Sequence, residues 1–172
     1  MSFTTEVKSE IGQNILKPCC ANAQLAALIQ LCSTIVFNNR GMHLTIKTEN
    51  ATTAKRIWVL IKDRYKAEME LSVIKKMKLK KNNIYVIKID DLSQTILSDI
   101  DLLQDGKFKD HPGHLIVKKE CCARAYLAGA FMASGSVNSP TNSNYHLEIA
   151  TLAEKHAIFI QKLMKRFDLP AK

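Results

Sequence analysis

Glycine is scarce in this chain: there are six in 172 residues, and none is set in a GxGxxG or GxxxxGK pattern. A backbone cradle for phosphates of the dinucleotide-binding or P-loop kind is therefore absent. Long apolar runs are missing too, and none reaches the ~18 residues that a membrane-crossing helix needs. The opening stretch, MSFTTEVKSEIGQNILK, mixes acids with bases and has no apolar core of the signal-peptide type. Export is not expected, and disulfides are not expected either. The five cysteines are odd in number and include two adjacent pairs, so reduced thiols in a cytoplasmic protein are predicted. Acids are the scarcer charge, with 16 Asp and Glu against 25 Lys and Arg and a net charge of +9. That balance points to a polyanionic partner such as nucleic acid and is silent on fold.

What is present suffices for one well-filled domain, since 47% of the residues are hydrophobic. A first helix is predicted within residues 1–17, capped by Thr4 or Thr5, with Val7, Ile11, Ile15 and Leu16 as its apolar stripe. Pro18 separates it from a second helix over about Cys20 to Leu31. Ser33–Phe37 and Met42–Thr48, joined through Asn38-Asn39-Arg40-Gly41, read as a hairpin. In its second strand Leu44 and Ile46 face one way, while His43, Thr45 and Lys47 face the other. A third helix is predicted over Ala51–Tyr65, then a second hairpin from Leu71–Leu79 and Ile84–Ile89. Leu92–Leu103 reads as one or two helices, and Asp105-Gly106 and His111-Pro112-Gly113 as loop material.

An internal repeat organises these elements. Cys19-Cys20-Ala21 returns as Cys121-Cys122-Ala123, and Leu25-Ala26-Ala27 as Leu127-Ala128-Gly129, both at an offset of 102 (121 − 19). His43-Leu44-Thr45-Ile46-Lys47-Thr48 returns as His146-Leu147-Glu148-Ile149-Ala150-Thr151 at 103 (146 − 43), and Ala54, Ile57 and Leu60 answer to Ala157, Ile160 and Leu163. The repeats are 19–90 and 119–172, with 91–118 connecting them. A duplicated unit buries its apolar face against its twin, so a pseudo-two-fold domain is expected, with the first helices of the two units packed at the axis. Ala23 and Ala27 on one helix, and Ala125, Gly129 and Ala133 on the other, are small enough for close backbone approach.

The stretch Leu127-Ala128-Gly129-Ala130-Phe131-Met132-Ala133-Ser134-Gly135 resembles the LAGLIDADG motif of homing endonucleases. The start SFTTEVKSEI, the Cys-Cys pairs, and AYLAGAFMASGSV followed by Tyr145-His146-Leu147-Glu148 resemble the WhiA family of bacterial DNA-binding regulators. The resemblance spans essentially the whole chain. It implies an α+β, LAGLIDADG-like domain over 1–172, built from a duplicated α-β-β-α-β-β unit with an extra N-terminal helix. The second repeat lacks its last hairpin, and the family's C-terminal helix-turn-helix is not in this sequence. A shorter second sheet with an exposed edge is therefore expected. The resemblance further implies transcription regulation tied to cell division, chromosome segregation or sporulation, a nucleoid-associated location, and a protein partner in the transcription machinery.

The endonucleases place an acid at the eighth motif position of each copy, where paired carboxylates hold a divalent metal. Here those positions are Cys32 and Ser134, so no nuclease and no metal or other cofactor is expected. The acids Asp90, Asp91, Asp99, Asp101 and Asp105 read as a solvated face, and Glu148 beside His146 as a surface hydrogen bond. A zinc reading of His111 and His114 with Cys121-Cys122 fits no familiar finger spacing, and the cysteines read as small buried apolar residues. The DNA-binding candidates are the strand and turn lysines Lys47, Lys75, Lys76, Lys78, Lys80, Lys81 and Lys88, which would neutralise phosphates. The competing reading is a protein-interaction scaffold that does not bind DNA itself.

Overall fold

The protein is described from a computed structural model covering residues 1–77 and 82–172. Helix α1, Phe3–Gln13, is capped by Ser2, whose Oγ accepts a hydrogen bond from the Thr5 amide at 3.2 Å. Neither Thr4 nor Thr5 is the cap, because both already lie in the first helical turn. Ile15 lies past the helix end and is fully exposed, so the stripe is shorter than its sequence spacing predicts. Helix α2, Pro18–Cys32, begins on the proline, whose fixed φ and missing N–H suit a first helical position.

Strand β1, Ser33–Asn38, pairs antiparallel with β2, Gly41–Thr48, around a turn that Gly41 makes with φ +109°. Helix α3, Ala51–Tyr65, is capped by the Asn50 side chain. Strands β3, Met69–Lys75, and β4, Asn83–Ile89, complete a four-stranded sheet in the order β1-β2-β4-β3. β3 is shifted from the predicted Leu71–Leu79. Lys75 pairs with Asn83, the first residue of β4, so Lys76 and Met77 have no strand partner. Leu44 and Ile46 of β2, Ile87 and Ile89 of β4, Ile57 and Ile61 of α3, and Leu25, Leu28 and Ile29 of α2 are all buried in one core. Each such side chain contributes about 1.5–3 kcal/mol relative to exposure.

Between the repeats, α4 covers only Ser93–Asp99. The predicted continuation to Leu103 is replaced by a small hairpin of β5, Leu103–Gln104, and β6, Lys107–Phe108. Asp105 and Gly106 both adopt positive φ (52° and 73°), the backbone of a tight two-residue hairpin turn. A 3₁₀ turn, His114–Val117, leads into α5, Glu120–Ser134. Strands β7, Gly135–Val137, and β8, Leu147–Ile149, form a two-stranded sheet, and α6, Glu154–Lys165, follows. The second sheet thus has two strands among the described residues against four in the first.

Helices α2 and α5 pack against each other at the centre of the molecule. A Cβ on Gly129 would stand 2.6 Å from the Gln24 carbonyl oxygen and 3.1 Å from the Ala27 Cβ. Ala23, Ala27 and Ala125 are buried in this pair, and Ala133 is half-buried. α3 and α6 occupy equivalent places. Ile57 and Leu60 are buried in α3, as are Ile160 and Leu163 in α6, whereas Ala157 is exposed. Each of these helices also buries one polar side chain at the same repeat position, Thr53 and His156. Thr53 Oγ1 donates to the Met132 carbonyl at 2.9 Å. His156 Nε2 meets the Tyr126 hydroxyl at 2.7 Å, and His156 Nδ1 meets Thr151 Oγ1 at 3.1 Å. No helix among the described residues is long and apolar enough to cross a membrane.

Candidate functional site

Cys32 and Ser134 are the last residues of α2 and α5, each followed directly by the first strand of its repeat. The Ser134 hydroxyl donates to the Ala150 carbonyl at 2.7 Å, joining the end of α5 to the chain leaving β8. Burial pushes the Cys32 thiol up to about 12, and the nearby Lys8 ammonium only partly offsets this. Lys8 is itself shifted down by burial and lies 5.8 Å from the centre of the Phe131 ring. Cys32 therefore carries a neutral thiol with a cation beside it, and the end of α5 carries a hydroxyl already engaged. This donor set does not suit a hard cation, which needs anionic oxygen ligands.

The open face of the four-stranded sheet follows from its register. Residues directly opposite on antiparallel strands share a face. Lys47 lies opposite Val86, and Lys88 lies opposite Thr45 on one side and Glu70 on the other. Lys47 and Lys88 are thus diagonal neighbours on the face turned away from Leu44, Ile46, Ile87 and Ile89, and both are exposed. Thr34 and Ser72 share that face by the same register, as do the exposed Val36 and Ile74.

Of the other lysine candidates, the described Lys75 and Lys76 do not join this pair. Lys75 opposes Asn83, which puts it on the opposite side from Lys88. Lys76 lies beyond β3 and forms an ion pair with Glu49, holding that carboxyl below its ordinary range. Met77, the next residue, is fully exposed. Lys78, Lys80 and Lys81 lie outside the described residues. Among the described residues, the candidate lysines on the open sheet face are Lys47 and Lys88.

The acids of the connecting region do not converge. Asp99 accepts from the Tyr65 hydroxyl at 3.0 Å, and Asp101 binds the Lys109 ammonium at 2.7 Å and the Gly113 amide at 2.6 Å. His146 and Glu148 form an exposed contact at 3.1 Å. His111 stacks on Phe159 with ring centres 4.5 Å apart. The cysteines depart from the reading as buried apolar residues. Cys20 and Cys122 are buried, but Cys19 is half-buried and Cys121 exposed. All four Sγ atoms lie within 4.8 Å of one another. The signal was in the repeat: two equivalent Cys-Cys pairs at the starts of two helices meet when those helices pack side by side in the same direction, as α2 and α5 do.

Comparison with known proteins matches residues 18–103 to the WhiA N-terminal LAGLIDADG-like domain and residues 123–172 to the WhiA LAGLIDADG-like domain. The chain is 44% identical over 173 residues to a probable cell division protein WhiA of Bacillus pumilus and 43% identical to that of Bacillus cytotoxicus. In both cases all of this chain is covered and 55% of the relative, so the chain spans about half the length of the curated relatives it matches. The crystal structure of full-length DUF199/WhiA from Thermatoga maritima superposes with a TM-score of 0.72 at 19% identity, over 97% of this chain and 51% of that one. The N-terminal LAGLIDADG domain of DUF199/WhiA gives the same TM-score at 20% identity, covering 96% of this chain and 74% of that one. With both halves matched to the same family and the fold shared with its solved members, the chain belongs to the WhiA family.

Proposed function

We propose that this chain is the LAGLIDADG-like part of a DNA-binding transcription regulator that acts in cell division, with chromosome segregation and sporulation as the related processes. In this reading it works at the nucleoid and grips DNA without cutting it. The observation that carries the reading is the exposed pair Lys47 and Lys88 on the open sheet face of a chain with net charge +9. Lysine acts on phosphate as a point charge, so such a face supplies affinity and register but little sequence reading. Loss of cleavage is supported by the donors at the motif ends, a neutral Cys32 thiol beside Lys8 and a Ser134 hydroxyl engaged with Ala150.

The test is duplex binding by the complete protein at low salt, together with incubation of plasmid DNA with Mg²⁺ or Mn²⁺. Salt-sensitive binding without strand breakage is expected. Metal-dependent nicking would overturn the inactive reading, and absence of binding at low salt would overturn the DNA reading. One feature favours the alternative of a protein-interaction scaffold, with the transcription machinery as its partner. The same open face exposes Val36 and Ile74 at 43% and 51%. Exposed apolar side chains on both edge strands give a protein partner places to pack beside the lysines.

A further inference from the structure

Cys19 and Cys20 stand in the first turn of α2, and Cys121 and Cys122 in the first turn of α5. The four sulfurs come from two segments about a hundred residues apart, yet none lies more than 4.8 Å from another. From this geometry we propose that the four cysteines form a tetrathiolate site for one zinc ion, bracing the two repeats where their central helices begin. A tetrahedral Zn(Cys)₄ centre with Zn–S near 2.3 Å holds its sulfurs about 3.8 Å apart. The cluster reaches that spacing by side-chain adjustment of under about 1 Å. A set this tight closes around one ion. A multi-iron cluster, with inorganic sulfide between its irons, needs its cysteines further apart. Thiolate ligands in a tetrahedral arrangement select zinc over the hard cations Mg²⁺ and Ca²⁺.

Burial pushes the Cys20 and Cys122 thiols up, to about 11 and about 12, so the ion itself must draw off their protons, helped by the charge at the helix ends. Lys17 and Lys119 precede the two helices at the capping position, and neither helix has a side chain capping its first-turn amides. Two helix N-termini thus converge on one cluster, and thiolates are stabilised at such ends. Binding releases four thiol protons to solvent and leaves a centre of net charge −2, which the two helix ends partly offset. The backbone leading into each helix is also clasped by arginine. Arg64 Nη1 donates to the Pro18 carbonyl at 2.8 Å, and Arg166 donates to the Val117 and Lys118 carbonyls at 2.7 and 3.1 Å. The duplication places the two cysteine pairs at equivalent positions, 102 residues apart. This differs from the usual knuckle, in which one turn supplies two cysteines separated by two to four residues. Here each helix supplies an adjacent pair, and the site is complete only when the two repeats are docked.

The experiment takes the complete protein, purified without oxygen or added metal, and measures bound metal by elemental analysis. One zinc per chain is expected. Replacing it with Co²⁺ should give the intense visible bands of a tetrahedral tetrathiolate and a sulfur-to-cobalt charge-transfer band. Cys121→Ser, at the exposed position, should lose most of the zinc and lower the melting temperature. The Cys122→Ser change should do the same if the protein folds. Cys32→Ser, outside the cluster, should leave the metal content unchanged. Protein lacking metal and still lacking it after incubation with Zn²⁺, with four freely titratable thiols, would overturn the proposal. So would an iron chromophore in place of zinc, or a Cys19–Cys122 or Cys20–Cys121 disulfide as the state of the folded protein.

Discussion

A Cβ built on Gly129 would stand 2.6 Å from a backbone oxygen, that of Gln24, which cannot rotate away as a side chain could. Alanine is the better helix former by about 1 kcal/mol. The expected result for Gly129→Ala is nonetheless a net loss of about 1–3 kcal/mol in chemical denaturation, because α2 and α5 must separate to admit the methyl group. His156 supplies a second test. Burial lowers its pKa from the ordinary 6.5 to about 4, with His111 adding to the effect. The unfolded chain therefore binds a proton near pH 6.5 that the native protein refuses until about pH 4. Its stabilising contribution is full above pH 6.5 and is lost progressively as pH falls toward 4. Equilibrium unfolding across that window should show a slope that His156→Gln flattens. Tyr126→Phe removes the partner of His156 Nε2 and should cost about 1–3 kcal/mol at neutral pH.

Among the elements, those with strong local signals were legible. The α3 helix has the predicted bounds, since Asn50 caps it and its apolar residues recur at helical spacing. The first hairpin was readable from β-branched residues on either side of Asn39-Arg40-Gly41. The β5–β6 hairpin was not, because two-residue strands carry no periodicity and only Asp105-Gly106 marks the turn. β3 was misplaced because alternation in a lysine-rich run continues past the last residue that β4 can pair. That register separates the lysines by role. Lys47→Gln with Lys88→Gln should weaken duplex binding several-fold at low salt, by fluorescence anisotropy. Lys75→Gln with Lys76→Gln should have a much smaller effect, because Lys75 lies on the other side and Lys76 is held by Glu49. Equal losses in both doubles would mean that affinity comes from diffuse charge and not from the open face.

For the whole molecule, self-similarity was the most informative feature of the sequence. It revealed the two repeats and their central helix pair, while the fold class followed from the resemblance of Leu127–Gly135 to the LAGLIDADG motif. It also contained the cysteine cluster, which local spacing hid: Cys121-Cys122 beside His111 fits no finger, yet the missing ligands are supplied by Cys19-Cys20 of the other repeat. That the two motif ends carry no acid was visible in residue identity at Cys32 and Ser134. The Lys8 ammonium near Cys32 was not, because α1 lies outside the repeat. In the function proposed above, this duplicated fold holds DNA through charge on an open sheet and does not cut it. The decisive quantity is the salt dependence of duplex binding by the complete protein, compared with the Lys47→Gln, Lys88→Gln double variant. Log K is expected to fall linearly with log salt, with a slope that becomes shallower by about 2 in the variant. An unchanged slope, or affinity indifferent to salt, would contradict the proposal.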